Sequence, residues 1–203
     1  DPPYNTGMEG KEDKKAWLSY MFKDIFTDED YLLLLQNAFK NNFDFTKGEC
    51  AFYVFIDWRN VATIKEEIEA FMEVKNVIVW DKVVHGLGID YKFTYEMVVV
   101  GKKGKPKISN RYGLDYQDIW RLQRTMGRNK DHSTSKPVEL LEKPIMHASK
   151  EDDIILDLFL GSGSTIIACE KTGRMCYGLE IDPKYVDVII ERDEQYKGNK
   201  ATK

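Results

Sequence analysis

Apolar positions divide the first half of the chain into segments with helical spacing and segments with extended spacing. Residues 27–43 place apolar side chains along one face, and Thr27 with Asp30 resembles a capping box, which predicts a helix with a defined start. Helical spacing returns at residues 61–72. Three apolar or β-rich runs predict strands: residues 50–56, 77–80 and 95–100.

The second half alternates strands and helices more regularly. Four segments are predicted as strand, helix, strand and helix in turn: residues 154–158, 164–171, 175–181 and 183–196. A helix at residues 138–146 precedes them. Such alternation is typical of an α/β protein with a mainly parallel sheet.

Composition narrows the class of protein. A chain of 203 residues with 42% hydrophobic residues can bury a full core. Its apolar runs are too short to span a bilayer, and no signal-peptide pattern opens the chain. The three cysteines have no metal-binding or disulfide spacing, which suits a reducing cytoplasm. The net charge of −4 argues against a protein that coats DNA uniformly.

The charge is nevertheless unevenly distributed. Between residues 101 and 137, ten basic residues are opposed by three acidic ones, and the aromatic residues Tyr112, Tyr116 and Trp120 lie among them. This pattern is typical of a segment that contacts phosphates and bases, although a solvated lysine-rich loop has the same composition. The segment lacks a clean period, and we predict an irregular insertion with a short helix at residues 116–125.

A glycine-containing turn follows the strand predicted at residues 154–158. Gly161 and Gly163 lie between that strand and the next helix, so a ligand can approach the backbone and the free amides of the helix start. Glu180 follows Gly161 by 19 residues, a spacing that suits an acidic side chain holding ribose hydroxyls.

A glycine turn of this kind can bind a dinucleotide, a nucleotide triphosphate or S-adenosylmethionine, or it can be a structural turn that binds no ligand. A dinucleotide fingerprint requires glycine where Ile166 stands, and a phosphate loop requires lysine where Gly163 stands. S-adenosylmethionine fits better, since Glu180 could take its ribose and the turn its amino-acid end. A tight turn without any ligand remains an alternative.

The chain opens with Asp1-Pro2-Pro3-Tyr4, an unusual set of groups for a structural turn. Two prolines remove amide donors and leave nearby carbonyl groups free to accept hydrogen bonds. A carboxylate and a carbonyl oxygen can accept both hydrogens of an exocyclic amine while the aromatic ring stacks on the base.

Four motifs in order resemble the β-type amino-group DNA methyltransferases, which act on adenine N6 or cytosine N4. The resemblance covers essentially the whole chain and implies a three-layer Rossmann-like fold in circularly permuted order, with the catalytic motif first and the cofactor motif last. Ser133 departs from the proline usual in the third motif. The matching segments are Asp1–Tyr4, residues 132–137, residues 157–164 and residues 178–185.

The resemblance assigns roles to individual residues. The implied catalytic residues are Asp1, Pro2, Pro3 and Tyr4. The residues implied to bind S-adenosylmethionine are Asp157, Phe159, Gly161, Ser162, Gly163, Ser164, Thr165, Glu180, Ile181, Thr134 and Lys136. The basic segment contributes the expected DNA-binding residues Arg111, Arg121, Arg124, Arg128 and Lys130. No metal is expected.

The expected organisation has three parts. Residues 1–101 form the catalytic half, residues 102–131 a short target-recognition insertion and residues 132–203 the cofactor-binding half. The two ends of the chain are expected to fold back so that Asp1–Tyr4 faces the glycine turn. The expected partner is double-stranded DNA; a homodimer and a cognate restriction endonuclease are further partners that the resemblance allows.

The expected activity is methylation of adenine N6 in a flipped-out base, because aspartate opens the catalytic motif. Cytosine-N4 methylation and a non-catalytic DNA-binding role are the alternatives. Family members carry a central strand and an acidic residue before the catalytic motif, and neither precedes Asp1 here. We therefore expect the chain to be a fragment of a longer enzyme.

Overall fold

The computed structural model describes residues 1–6, 26–46, 48–86, 88, 90–106, 117–124 and 135–201. The chain forms two compact units. The first comprises Asp1–Trp80 and Glu96–Lys105, and the second comprises Asp81–Tyr95 and Pro106–Lys203.

The described residues of the first unit form two helices and three strands. Strand β1 lies antiparallel to β3, with Val54 opposite Val99, and the strand order is β1-β3-β2. The elements are α1 (Asp28–Phe45), β1 (Cys50–Ile56), α2 (Val61–Glu69), β2 (Glu73–Asp81) and β3 (Tyr95–Lys103).

The predicted start of α1 is confirmed. Thr27 Oγ1 accepts a hydrogen bond from the Asp30 amide at 3.1 Å, which satisfies one of the free donors at the helix start. One face of the helix packs into the core through buried side chains such as Leu35 and Phe39. They meet Ile56 of β1 and Ile64 of α2, both with no exposed surface.

The second unit contains a parallel pair of strands with flanking helices. Strands β5 and β6 run parallel, with Asp157 opposite Gly178, so both strands end at the same edge. The elements are β4 (Ile119–Arg121), α3 (Val138–Ala148), β5 (Ile154–Asp157), α4 (Ser164–Thr172), β6 (Met175–Gly178) and α5 (Pro183–Lys197).

A glycine ends α4, and a proline with a capping aspartate begins α5. Gly173 ends α4 with a φ of +71°, a left-handed conformation that favours glycine. Pro183 opens α5, and the Asp182 side chain accepts a hydrogen bond from the Lys184 amide at 2.9 Å.

The helix predicted at residues 116–125 is wrong where the structure describes it. Residues 119–121 form strand β4, and the Leu122 amide donates to the Asp81 carbonyl at 3.1 Å. Trp120 is buried between two exposed neighbours, the alternation of a strand, and its ring lies 6.4 Å from that of His147. Burial of this indole favours a strand over the predicted helix.

Candidate functional site

The Asp1–Tyr4 segment is fixed to the first unit by side chains from two helices. The Tyr31 hydroxyl of α1 donates to the Pro3 carbonyl at 3.0 Å, and Asn60, just before α2, donates to the Tyr4 carbonyl at 2.7 Å. Pro2 is buried, and no described residue donates to its carbonyl. The backbone is therefore held while one carbonyl oxygen and the exposed Asp1 carboxylate can accept hydrogen bonds.

The Tyr4 hydroxyl lies between two carboxyl groups. It is 2.9 Å from Asp1 Oδ1 and 2.8 Å from Glu96 Oε2 on β3. A phenol carries one hydrogen, so it donates to one carboxylate at a time, and the second contact is favourable when a carboxyl group carries a proton. Sequence reasoning missed Glu96, because 92 positions separate it from Tyr4.

We expect Tyr4 and Glu96 to be energetically coupled. In a double-mutant cycle of Tyr4→Phe and Glu96→Ala, the free energies of unfolding in urea should show a coupling of about 1 kcal/mol, the usual size of a hydrogen bond. The matched control replaces Glu73, an exposed glutamate on β2 that pairs with Lys75. Coupling of equal size between Tyr4→Phe and Glu73→Ala would contradict a specific contact.

The Asp157 carboxylate fixes both ends of the glycine turn. Its Oδ1 accepts from the Phe159 amide at 3.0 Å, and its Oδ2 accepts from the Thr165 hydroxyl at 2.6 Å. The Leu160 amide also donates to the Leu179 carbonyl at 3.0 Å, which ties the turn to the chain after β6.

The two turn glycines adopt left-handed conformations, with φ of +55° at Gly161 and +79° at Gly163. A Cβ atom at Gly163 would lie 3.0 Å from Ile189 Cγ1, whereas a Cβ atom at Gly161 would have no heavy atom within 4 Å. Helix α4 starts directly after Gly163 with no side-chain cap. Gly161 thus borders open space, and Gly163 packs against α5.

Glu180 contacts the turn through one carboxylate oxygen and the chain after β6 through the other. Its Oε2 accepts from the Gly161 amide at 2.7 Å, and its Oε1 accepts from the Asp182 amide at 2.9 Å. Each carboxylate oxygen retains a further acceptor position, so both can still receive hydroxyl donors. Ile181 is 76% exposed beside it.

A serine and an arginine that sequence reasoning did not assign complete the turn. Ser135 Oγ lies 2.6 Å from Ser162 Oγ, so the segment that precedes α3 contacts the turn. Arg192 of α5 donates to the carbonyl and hydroxyl of Ser162. Arg192 follows Ile189 by one helical turn, a weak signal that both face the same side. Lys136 is described, whereas Thr134 lies outside the described residues.

The predicted DNA-binding residues are only partly described. Arg121 has an exposed side chain that pairs with Asp81 at 3.1 Å, and Arg124 lies in the irregular chain after β4. Arg111, Arg128 and Lys130 lie outside the described residues.

The described part of the chain has neither a candidate membrane-spanning helix nor a candidate metal site. None of its helices combines the length and apolar character that a membrane crossing requires. Its histidine, cysteine and acidic side chains form no cluster of three or more that could hold a metal ion.

Solved structures share this fold. The chain superposes on the M1.HpyAVI–SAM complex with a TM-score of 0.69 at 23% identity, covering 80% of this chain and 83% of that one. It superposes on the PvuII DNA methyltransferase (cytosine-N4-specific) with a TM-score of 0.59 at 17% identity, covering 73% and 67%. The fold is thus the Rossmann-like α/β fold of methyltransferases, as the sequence predicts.

The chain belongs to the DNA methylase family, whose family model matches residues 1–191. It is 25% identical to the type II methyltransferase M.HpaI of Haemophilus parainfluenzae over 98% of this chain and 68% of that protein. It is 24% identical to the DNA adenine methyltransferase YhdJ of Escherichia coli K12 over 95% of this chain and 74% of that protein. The family resemblance is therefore confirmed.

Proposed function

We propose that this chain transfers the methyl group of S-adenosylmethionine to the N6 amino group of adenine in DNA. The observation that carries the proposal is the Asp1–Tyr4 segment: its backbone is anchored, its Asp1 carboxylate is exposed and its Pro2 carbonyl accepts nothing from the described residues. Family membership and the relative named as a DNA adenine methyltransferase support the choice of DNA and of adenine.

The polar groups around the glycine turn fit S-adenosylmethionine. Glu180 offers carboxylate oxygens to a ribose, and Asp157 offers a negative charge to the ammonium of an amino acid. The open space beside Gly161 leaves room for the ligand to approach the backbone. When bound, this cofactor supplies an electrophilic methyl group on a sulfonium.

The residues proposed to hold the cofactor lie on the turn, at the end of β6 and before α3. The described members of this set are Asp157, Phe159, Gly161, Ser162, Gly163, Ser164, Thr165, Glu180, Ile181 and Lys136.

The Asp1–Tyr4 segment would raise the reactivity of the amine. The N6 lone pair of adenine is delocalised into the ring and is a weak nucleophile. Hydrogen bonds from the amino group to the Asp1 carboxylate and the Pro2 carbonyl would localise that lone pair. As the bond from nitrogen to the methyl carbon forms, the carbon–sulfur bond would break and S-adenosylhomocysteine would leave; the methylated nitrogen would pass one of its hydrogens as a proton through the exposed Asp1 carboxylate to water. Tyr4 receives the flipped base by stacking. Positioning and electrostatics supply the acceleration.

Double-stranded DNA is the proposed substrate, and the basic segment is its proposed contact surface. Neutralising Arg121 and Arg124 together (Arg121→Gln with Arg124→Gln) should weaken DNA binding and lower the slope of log affinity against log salt by about 1 per lost phosphate contact. Fluorescence anisotropy at several salt concentrations measures this slope. The control is Lys200→Gln, a 92% exposed lysine near the end of α5. An unchanged slope in the double variant would place the DNA elsewhere.

Methyl transfer from a labelled cofactor to unmethylated genomic DNA, followed by mass spectrometry of the nucleosides, tests the proposal. N6-methyladenine is the expected product. Detection of N4-methylcytosine would make cytosine the target base in place of adenine and leave the proposed mechanism unchanged. Cofactor binding without any modified base in DNA would overturn the proposed activity.

A further inference from the structure

The Arg192 guanidinium contacts the glycine turn, and the described groups that accept its hydrogen bonds are neutral. Arg192 Nη1 donates to the Ser162 carbonyl at 2.5 Å, to Ser162 Oγ at 3.0 Å and to Ser164 Oγ at 3.4 Å. Both serines are nearly buried, at 9% and 5% exposure. The guanidinium is therefore held against the inner side of the turn.

No described carboxylate pairs with this guanidinium. The contrast within α5 is clear, because Lys197 pairs with both Glu170 and Asp193. Burial lowers the pKa of Arg192, as expected for a cation that has lost water without gaining a carboxylate. Arg192 thus brings a positive charge to Ser162, in addition to the Asp157 and Glu180 carboxylates that also contact the turn, and this charge favours an anionic group of a ligand near Ser162.

Arg192 also fixes the direction of the hydrogen bonds that the Ser162 hydroxyl makes. A guanidinium donates hydrogen bonds and accepts none, so Ser162 Oγ accepts from Arg192 and directs its own hydrogen away. That hydrogen can reach Ser135 Oγ, 2.6 Å away, or a ligand oxygen.

We propose that Arg192 is a positioning residue for the carboxylate of the methyl donor, acting by its charge and through Ser162. The inference rests on the proposed use of S-adenosylmethionine. The amino-acid end of that cofactor carries one ammonium and one carboxylate. Among the charged groups that contact the turn, Asp157 is assigned to the ammonium and Arg192 to the carboxylate, whereas Glu180 is assigned to the ribose.

Two ligands that differ in their amino-acid end separate this role from simple support of the turn. S-adenosylhomocysteine carries the carboxylate, and 5′-methylthioadenosine lacks the whole amino acid. In calorimetric titrations of the full chain, Arg192→Gln should weaken the binding of S-adenosylhomocysteine by at least about tenfold, the range of a hydrogen bond to a charged group. The affinity for 5′-methylthioadenosine should change by less than about twofold. Arg192→Lys should recover part of the loss.

The matched control is Lys197→Gln, which removes a cation from the same helix and should leave both affinities unchanged. If Arg192→Gln does not fold, Ser162→Ala tests the same selective loss by removing the hydroxyl that Arg192 orients. Equal loss for both ligands, or no loss for either, would overturn the inference and leave the proposed function standing. Failure of the unaltered protein to bind S-adenosylhomocysteine would overturn both.

Discussion

Replacing Asp1 by alanine is expected to slow methyl transfer to DNA by about 10²- to 10³-fold, the cost of removing one well-placed group that stabilises developing charge. The variant loses the acceptor that localises the N6 lone pair. Binding of S-adenosylhomocysteine should be unchanged, because the proposed cofactor contacts lie on other residues. Single-turnover transfer rates and calorimetric titrations measure the two quantities separately.

Two variants sharpen this expectation. Asp1→Ala also removes one acceptor from the Tyr4 hydroxyl, so Tyr4→Phe is needed to separate that contribution, and its effect on rate should be smaller. Asp44→Ala, on an exposed aspartate at the end of α1, is the matched control. If Asp1→Ala transfers methyl groups at a rate within threefold of that of the unaltered chain, Asp1 does not take part in methyl transfer.

Replacing Gly161 by alanine is expected to weaken S-adenosylhomocysteine binding by at least about tenfold, or about 1.4 kcal/mol. The added methyl group would project into space that contains no protein atoms within 4 Å, where the ligand is proposed to approach. The φ of +55° adds about 1–2 kcal/mol of backbone strain, which should lower the free energy of unfolding by that amount.

Gly198→Ala separates strain from ligand contact. Gly198 has a φ of +71° and equally open surroundings, but it ends α5, away from the turn in sequence. Calorimetry and urea unfolding should show the same loss of stability and no loss of ligand affinity. If both variants weaken the ligand equally, strain rather than contact explains the effect.

Local sequence patterns predicted most of the individual elements. The Thr27 cap and the apolar run of β1 each depend on neighbours within a few positions, and both were predicted correctly. The 19-residue spacing predicted a role for Glu180 toward a ribose but not its hydrogen bond with the Gly161 amide, which follows from strands β5 and β6 lying side by side and ending at one edge.

Prediction failed where distant residues decide the structure. Residues 119–121 form a strand because Trp120 is buried, which the local sequence does not reveal. Glu96 and Arg192 reach their partners across 92 and 30 positions, and no local pattern links them. Residue roles that depend on tertiary contacts can be assigned only from a three-dimensional structure, whereas caps and turns can be inferred from sequence.

The attachment of both ends of the glycine turn to one Asp157 carboxylate has a consequence for ligand capture. A loop that must be ordered by its ligand spends part of the interaction energy on lost conformational freedom. Here the turn is preorganised by its own hydrogen bonds, so association should proceed with little structural rearrangement and a small entropic penalty.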